Sequence, residues 1–218
     1  MIDTVILDVD GTLVDSNYHH CLAWSRAFAR RDLFPPLWRI HRAIGMGGDK
    51  LVAEVCGQEV EDEHGDALRE EWTRQFDPLI GEVRAFEGSR RLLETLKERG
   101  LKVVLASSGQ PQHVEVFLDL FDGRSLADAW TAAEDAEESK PAADLLLAAL
   151  ERVHGTSGVM VGDATWDARA AGKARLPALG LRTGGFGDDE LRDAGATEVL
   201  DGPQALADAV THGLLDRL

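Results

Sequence analysis

Short apolar runs alternate with amphipathic segments along most of the chain. The runs are rich in Val, Ile and Leu and are nearly continuous, which is typical of strands buried on both faces of a sheet. They cover residues 4–9, 102–106, 158–161, 177–181 and 197–200. Helical patterns occupy residues 89–99, 142–153 and 167–174. This alternation predicts an α/β fold with a parallel sheet.

The segment from residue 16 to residue 82 breaks this alternation. It shows helical periodicity without a strand pattern, with Trp24 and Phe28 on one helical face and Leu68 and Trp72 on another. We therefore predict an α-helical cap domain inserted after the first strand. The predicted boundaries are residues 16–82 for the cap, and residues 1–15 with 83–218 for the α/β core.

Composition and charge limit the classes of partner and the cellular location expected for the protein. The two cysteines, Cys21 and Cys56, form no pattern, so neither a disulfide framework nor a zinc site is expected, and a cytoplasmic location is the default. The N-terminus lacks the features of a signal peptide, and no stretch approaches the roughly 18 apolar residues of a membrane span. The formal net charge of −16 argues against nucleic acid as a partner. We predict neither a membrane nor a nucleic-acid partner.

Two acids, Asp8 and Asp10, follow the first predicted strand and precede Gly11 and Thr12. Ligands of open α/β sheets bind beyond the carboxyl ends of the strands, so both acids are expected at the site. Two close carboxylates repel each other unless a cation lies between them, and oxygen ligands suit Mg²⁺. The alternative is an ordinary acidic turn, because Asp-Gly is common in turns.

Three further motifs follow predicted strands or open predicted helices. Ser107 and Ser108 come directly after the second strand and, with the amides that follow, could hold phosphate oxygens. Lys140 stands at a predicted helix start, where the helix dipole disfavours a cation, so a phosphate or carboxylate partner is expected. Asp163 ends a buried strand, and Asp167 opens the next helix. Taken singly, these motifs could also be a Ser-Gly loop, a solvated lysine and a helix cap.

The complete set is similar to the four motifs of the haloacid dehalogenase superfamily, and the likeness extends through the whole chain. The set comprises Asp8-x-Asp10-Gly11-Thr12, Ser107, Lys140 and Gly162-Asp163-x-x-x-Asp167. The helical insert resembles the cap of the phosphoglycolate-phosphatase-like and β-phosphoglucomutase-like branch. This resemblance implies a Rossmann-like parallel sheet core and a magnesium-dependent phosphatase that acts on a small phosphorylated metabolite through an aspartyl phosphate.

The resemblance also implies the catalytic and metal-binding roles. Asp8 is the expected nucleophile, and Asp10 the expected acid and base for the leaving group and the attacking water. Mg²⁺ is expected on Asp8, Asp163 and the backbone carbonyl of Asp10. Asp167 is expected to orient Lys140 or metal-bound water.

Phosphate oxygens are expected to be held by Lys140 and by the hydroxyl residues Thr12, Ser107 and Ser108. In the cap, the loop that contains Gly47, Gly48 and Lys50 could reach the substrate, or could be a plain turn between helices. His20 falls where related sugar-phosphate enzymes place a histidine beside the acid and base. It also shares a packing face with Trp24, so a structural role is the alternative.

Other functions on this fold remain open alternatives. Dehalogenases and phosphonatases of the superfamily lack the second acid of the first motif, and Asp10 argues against both. β-Phosphoglucomutases use a cap-loop arginine and a lysine three residues after the motif serine, where this chain has Gly48 and Gln110. These differences favour hydrolysis over phosphoryl transfer, although Lys50 could substitute. A phospho-accepting signalling domain fits the Asp8-x-Asp10 spacing poorly. The pattern predicts no oligomeric state.

Overall fold

A single parallel sheet lies at the centre of the molecule. The computed structural model describes residues 2–135 and 139–218, and within these ranges six strands are joined in the order β3-β2-β1-β4-β5-β6. The strands are β1 (Thr4–Leu7), β2 (Lys102–Ala106), β3 (Ala129–Thr131), β4 (Gly158–Gly162), β5 (Ala178–Leu181) and β6 (Ala196–Leu200). Every pair is parallel. The predicted α/β class is therefore confirmed.

The register of the central strands explains why the predicted motifs converge. Leu7, the last residue of β1, pairs with Leu105 on one side and Val161 on the other. Because parallel strands end at the same edge of a sheet, the residues that follow β1, β2 and β4 lie side by side. Asp8, Ser107 and Asp163 are those residues.

Four helices follow β1 before the chain returns to the sheet. They are α1 (Asn17–Ala29), α2 (Leu37–Ala43), α3 (Gly48–Cys56) and α4 (Gln58–Phe76). α1 packs against α4 through stacked aromatic rings, with a centroid distance of 5.6 Å between Trp24 and Trp72. We call α1–α4 the cap helices. The domain boundaries at residues 16 and 82 stay a prediction.

The two connections between the cap helices and the sheet run side by side. Val14 and Ala85 form an isolated antiparallel bridge, and the amide of Asp15 donates to the carbonyl of Arg84 at 2.8 Å. The chain therefore leaves the sheet and returns to it through one two-stranded link.

Helices cover both faces of the sheet. They are α5 (Ser89–Glu98), α6 (Pro111–Asp119), α7 (Gly123–Leu126), α8 (Asp144–Arg152), α9 (Thr165–Ala174), α10 (Asp188–Asp193) and α11 (Pro203–Thr211). Short 3₁₀ turns lie at Ile80–Glu82, Ala133–Asp135, Arg182–Gly184 and Leu214–Arg217. Successive residues of β1 face opposite sides, so Val5 and Leu7 belong to one apolar cluster and Ile6 to the other.

The structure differs from the sequence-based boundaries in a few places. β3 was not predicted, because it has only three residues. β1 ends at Leu7 rather than at residue 9, and α8 begins at Asp144 rather than at residue 142, since residues 140–143 form turns and bends. Across the described ranges, α4 is the longest helix, with 19 residues, and none combines the length and apolar character needed to cross a bilayer.

Candidate active site

An ion-paired cluster lies where β1 and β4 end. Lys140 Nζ donates to Asp8 Oδ1 at 2.5 Å and lies 2.8 Å from Asp167 Oδ1. Asp8, Asp163 and Asp167 are each 2% exposed, and Lys140 is 1% exposed. The cluster therefore brings three carboxyl groups and one ammonium together among almost fully buried side chains. Lys140 and Asp167 contact each other, as we expected for residues that act together.

The excess of carboxyl groups dominates the electrostatics of this cluster. Burial raises the pKa of Asp8 well above its usual value, and the charges of Asp167, Asp163 and Asp10 raise it further, against the lowering effect of Lys140. Burial, followed by the charge of Asp167, raises the pKa of Asp163 to about 7. Burial disfavours the charged form of Lys140, but the charges of Asp167 and Asp8 outweigh it and hold the lysine pKa above its usual value. A further cation would relieve this repulsion.

The same carboxyl groups fit a divalent metal ion. Among the described residues, Asp8, Asp163 and Asp167 form a group whose ligand oxygens all lie within 4.8 Å of one another. Carboxylate oxygens are the ligands that hard divalent cations prefer. Asp163 is already oriented, because Thr12 Oγ1 and Asn17 Nδ2 each donate to one of its oxygens at 2.8 Å.

Two glycines make room for the Asp163 carboxylate. A Cβ atom at Gly11 or at Gly184 would overlap Asp163 Oδ2. Gly11 also has a φ of +74°, which only glycine adopts at little cost. Gly11 therefore permits both the turn after β1 and the close approach of the Asp163 carboxylate. Gly184 permits the same close approach of Asp163 to a second stretch of backbone.

The Asp10 carboxylate has hydrogen-bond partners of its own, outside the metal-type group, which is the set of Asp8, Asp163 and Asp167. Ser16 Oγ and His20 Nε2 lie 2.8 Å and 2.7 Å from Asp10 Oδ1, and Ser107 Oγ donates to Asp10 Oδ2 at 3.0 Å. Burial raises the pKa of Asp10, but the electrostatic interaction with His20 and the three hydrogen bonds outweigh burial and lower it overall. His20 also stacks on Phe76, with ring centroids 4.1 Å apart. His20 therefore contacts both the Asp10 carboxylate and an aromatic ring of α4.

The predicted phosphate-binding residues do not all face the same space. Ser108 and Lys140 line the cavity above Asp8, and the Ser108 hydroxyl has no hydrogen-bond partner among the described residues. Ser107 Oγ accepts from the amide of Gly109 at 2.9 Å and donates to Asp10. Thr12 differs from our expectation, because its fully buried hydroxyl contacts Asp163 rather than the cavity. The role of Thr12 in phosphate binding stays a prediction without a supporting contact.

The cavity has a volume of about 370 Å³ and lies between the sheet edge and the cap helices. Asp8, Asp10 and Lys140 line its floor. Arg69 and Trp72 line its cap side, and neither residue was predicted to belong to the site. Trp72 was predicted only as part of the packing face that it shares with Leu68, and Arg69 was not singled out. Residues three apart on a helix are neighbours on its surface, so Trp72 on that face could have pointed to Arg69.

Residues 45–50 pack against the residue before Lys140. The loop predicted here is shorter than expected, because Gly48, Asp49 and Lys50 form the first turn of α3. Ser139 Oγ donates to Asp49 Oδ1 at 2.6 Å, and Lys50 Nζ donates to the carbonyl of Ser139 at 3.1 Å. Gly47 and Gly48 line the cavity, and a Cβ at Gly47 would overlap Ser139. The close approach suggested by the glycines therefore occurs at Gly47. Whether the loop or His20 selects the substrate stays a prediction.

Several known proteins resemble this chain in sequence and in fold. The family model described as haloacid dehalogenase-like hydrolase matches residues 2–175. A hydrolase from Pseudomonas syringae has a crystal structure that superposes with a TM-score of 0.90, at 31% identity, covering 96% of this chain and 98% of that one.

Two other relatives carry more specific names. A phosphoglycolate phosphatase from Caulobacter vibrioides is 27% identical over 220 residues, which cover 98% of this chain and 88% of that protein. A β-phosphoglucomutase from Clostridium difficile superposes with a TM-score of 0.84 at 18% identity, covering 100% of this chain and 99% of that one. At that identity the second likeness concerns the fold alone.

Proposed function

The chain belongs to the haloacid dehalogenase-like hydrolases, and on this premise we propose that it is a magnesium-dependent phosphatase for a small phosphomonoester. One observation carries the proposal. Asp8, Asp10 and Lys140 line the floor of one cavity, and the metal-type group of Asp8, Asp163 and Asp167 lies at the same sheet edge. The names of phosphatase relatives support it.

In the first step, one oxygen of the Asp8 carboxylate attacks phosphorus. The bond from phosphorus to the ester oxygen breaks, and Asp10 donates a proton to the departing alkoxide. The pKa of Asp10 is lowered in the protein alone. A phosphate group placed beside it raises that pKa by like-charge repulsion, so Asp10 can carry the proton when substrate is bound. Lys140 and the Ser108 hydroxyl hold phosphate oxygens.

In the second step, water attacks the phosphorus of the aspartyl phosphate. Asp10 accepts a proton from this water, and the bond between phosphorus and the Asp8 oxygen breaks. Inorganic phosphate leaves and the Asp8 carboxylate is restored. The hydrogen bonds from Ser16, His20 and Ser107 hold the Asp10 carboxylate in position for both proton transfers.

Mg²⁺ would be held by Asp8, Asp163 and the backbone carbonyl of Asp10, and would supply positive charge that neutralises the phosphate oxygens. Thr12 and Asn17 keep the Asp163 carboxylate oriented for this purpose. Asp167 shares Lys140 with Asp8 and so positions the lysine between the two carboxylates. In this way the lysine stays beside the nucleophile.

Two alternatives are less well supported. In a mutase, a second cation would hold the free phosphate of a bisphosphate, but the Gln110 side chain donates to Thr73 and position 48 is glycine. A phospho-accepting signalling domain must expose its aspartate to a partner protein, whereas Asp8 is 2% exposed beneath the cap helices. Hydrolysis of a small phosphate ester requires neither a second cation nor an exposed aspartate. The cytoplasmic location and the lack of a nucleic-acid partner stay predictions.

Phosphate release from a panel of phosphomonoesters tests the proposal. The panel is assayed with Mg²⁺ and with excess EDTA, and Asp8→Asn serves as the control variant. We expect release that requires Mg²⁺ and is lost in the variant. Release that persists under full chelation, or at the wild-type rate in Asp8→Asn, would contradict the proposed mechanism.

A further inference from the structure

The cap side of the cavity is largely apolar. Trp24 and Trp72 line it together with Ile44, Met46 and Leu51. The two indole rings stack with centroids 5.6 Å apart and so form a continuous aromatic wall. A leaving group that extends away from Asp8 therefore meets hydrocarbon and aromatic surface. Burying apolar surface there favours binding, whereas burying an unpaired charge opposes it.

The cation on this side of the cavity is already neutralised. Arg69 Nη1 donates to Glu61 Oε2 and to the carbonyl of Gly48, both at 3.0 Å, and Nη2 lies 2.9 Å from Asp66 Oδ1 and 2.8 Å from Glu61 Oε1. Hydrogen bonding with Glu61 is the main reason that the pKa of Arg69 lies above its usual value. One guanidinium thus serves two carboxylates, so its charge is not available to an anionic substrate group.

The remaining charged groups do not favour a second anion either. Asp49 lines the cavity, and its carboxylate accepts the hydroxyl of Ser139. Lys50 is not among the residues that line the cavity, and Lys140 is paired with Asp8 and Asp167. An anionic substrate group beyond the phosphate would therefore lie near Asp49 and against apolar walls. Like-charge repulsion and desolvation both disfavour that arrangement.

We propose that the substrate is the phosphate ester of an uncharged alcohol with an apolar body, and that the cap helices disfavour leaving groups that carry a carboxylate or a second phosphate. This inference rests on the proposed phosphatase function and specifies its substrate class. Phosphoglycolate, the substrate named for one relative, carries a carboxylate next to the ester and is expected to be a poor substrate here.

Three benzyl phosphates that differ only in the para substituent test this selection. The substituents are methyl, carboxamide and carboxylate, which are similar in size and remote from the ester oxygen. In the wild-type protein with Mg²⁺, we expect kcat/KM for the methyl and carboxamide esters to exceed that for the carboxylate ester by at least tenfold. Equal values, or a preference for the carboxylate, would overturn the inference.

A cation placed in the apolar wall gives the converse test. Met46 is partly buried in the cap loop and lines the cavity, so Met46→Lys introduces a positive charge there. We expect this variant to improve the ratio of kcat/KM for the carboxylate ester over the methyl ester at least tenfold. Met46→Leu keeps the wall apolar and should keep the wild-type order. Turnover of the methyl ester by each variant shows that it is folded, and an unchanged ratio in Met46→Lys contradicts the inference.

Phosphoglycolate and a hexose bisphosphate, assayed beside the benzyl esters, separate this inference from the proposed function. If either anionic ester is hydrolysed at least as well as the neutral esters, and Asp8→Asn abolishes the release, the phosphatase function stands and the inference on its substrate fails. If no ester releases phosphate, the proposed function fails and the inference fails with it.

Discussion

The two ends of β1 carry aspartates in opposite environments. Asp3, just before the strand, accepts hydrogen bonds from the hydroxyls of Thr4 and Thr156 at 2.7 Å and 2.6 Å, and from the amides of Thr156 and Ser157. Burial raises the pKa of Asp3, but these hydrogen bonds together outweigh burial and lower the pKa overall. Asp8, just after the strand, is buried among other acids, and its pKa is raised.

The same residue type therefore has different effects at the two ends of β1. Asp3 stabilises the fold, whereas Asp8 is placed for the proposed chemistry. Donors without charge surround Asp3 and stabilise its ionised form, so it helps to fix the loop that precedes β4. Asp8 instead lies in a cluster that has more carboxyl groups than cations. Repulsion among these carboxyl groups lowers the stability of the folded protein, but it keeps a carboxylate oxygen available for reaction. Active sites commonly carry such a cost.

The largest expected effect comes from Asp8→Asn. The substitution removes the proposed nucleophile, so we expect phosphate release to fall by at least about four orders of magnitude. It also removes one charge from the acidic cluster while Lys140 keeps its pairing with Asp167. We therefore expect the free energy of unfolding of the metal-free protein to rise by about 1–2 kcal/mol. Urea denaturation measures this rise, and a marked loss of stability would show that Asp8 is needed for folding.

Metal binding should relieve the repulsion at the Asp8 end only. At a Mg²⁺ concentration about a hundred times the dissociation constant, we expect roughly 2.7 kcal/mol of stabilisation. Thermal unfolding with Mg²⁺ and with EDTA measures it. The shift should disappear in Asp163→Asn, which removes one predicted ligand, and should persist in Asp3→Asn. A shift of equal size in all three proteins would place the metal elsewhere.

Thr12→Val tests the orientation of Asp163 without touching a predicted ligand. Valine keeps the shape of the side chain but loses the hydroxyl that donates to Asp163 Oδ1. We expect Mg²⁺ affinity to fall by about tenfold, the lower part of the range for residues that orient metal ligands. Thr12→Ser retains the hydroxyl and should bind Mg²⁺ nearly as the wild type does. Calorimetric titration distinguishes the two variants, and equal affinities would argue against this role.

The smallest expected effect concerns Asp3 and its dependence on pH. The folded-state pKa of Asp3 is lowered, so its stabilisation is fully present above its unfolded pKa of about 3.9 and is lost as the pH falls through the folded value. Asp3→Asn should cost about 1 kcal/mol at pH 7 and progressively less in acid. Activity per folded molecule should not change. A constant loss across this pH range would mean that the charge of Asp3 is unimportant.

Sequence patterns predicted the features that depend on contiguous residues. The strands beside Asp8 and Asp163 were found because buried parallel strands form unbroken apolar runs. The meeting of these acids with Lys140 followed from the motifs and from the rule that parallel strands end at one edge. Side-chain contacts between segments that are distant in sequence could not be predicted in this way. The hydroxyl of Thr12 reaches an acid that lies 151 residues away, and nothing in its neighbours indicates that partner.

The lining of the cavity shows a different limit. Trp72 and Arg69 lie on an amphipathic helix, and periodicity identifies the face that is buried. It does not distinguish the part of that face that packs on α1 from the part that borders a cavity. β3 was missed for a simpler reason, because three residues are too few to show alternation.

The insertion of the cap helices between β1 and β2 has a consequence for the order in which a growing chain acquires its parts. β1 is synthesised before β2 and β4, and these hydrogen-bonding partners begin only at Lys102 and Gly158. The four helices in between can pack on one another much sooner, since helical contacts are local in sequence. Asp163 and Asp167 are synthesised later still. A nascent chain therefore carries Asp8, the proposed nucleophile, long before Asp163 and Asp167 are available to pack beside it.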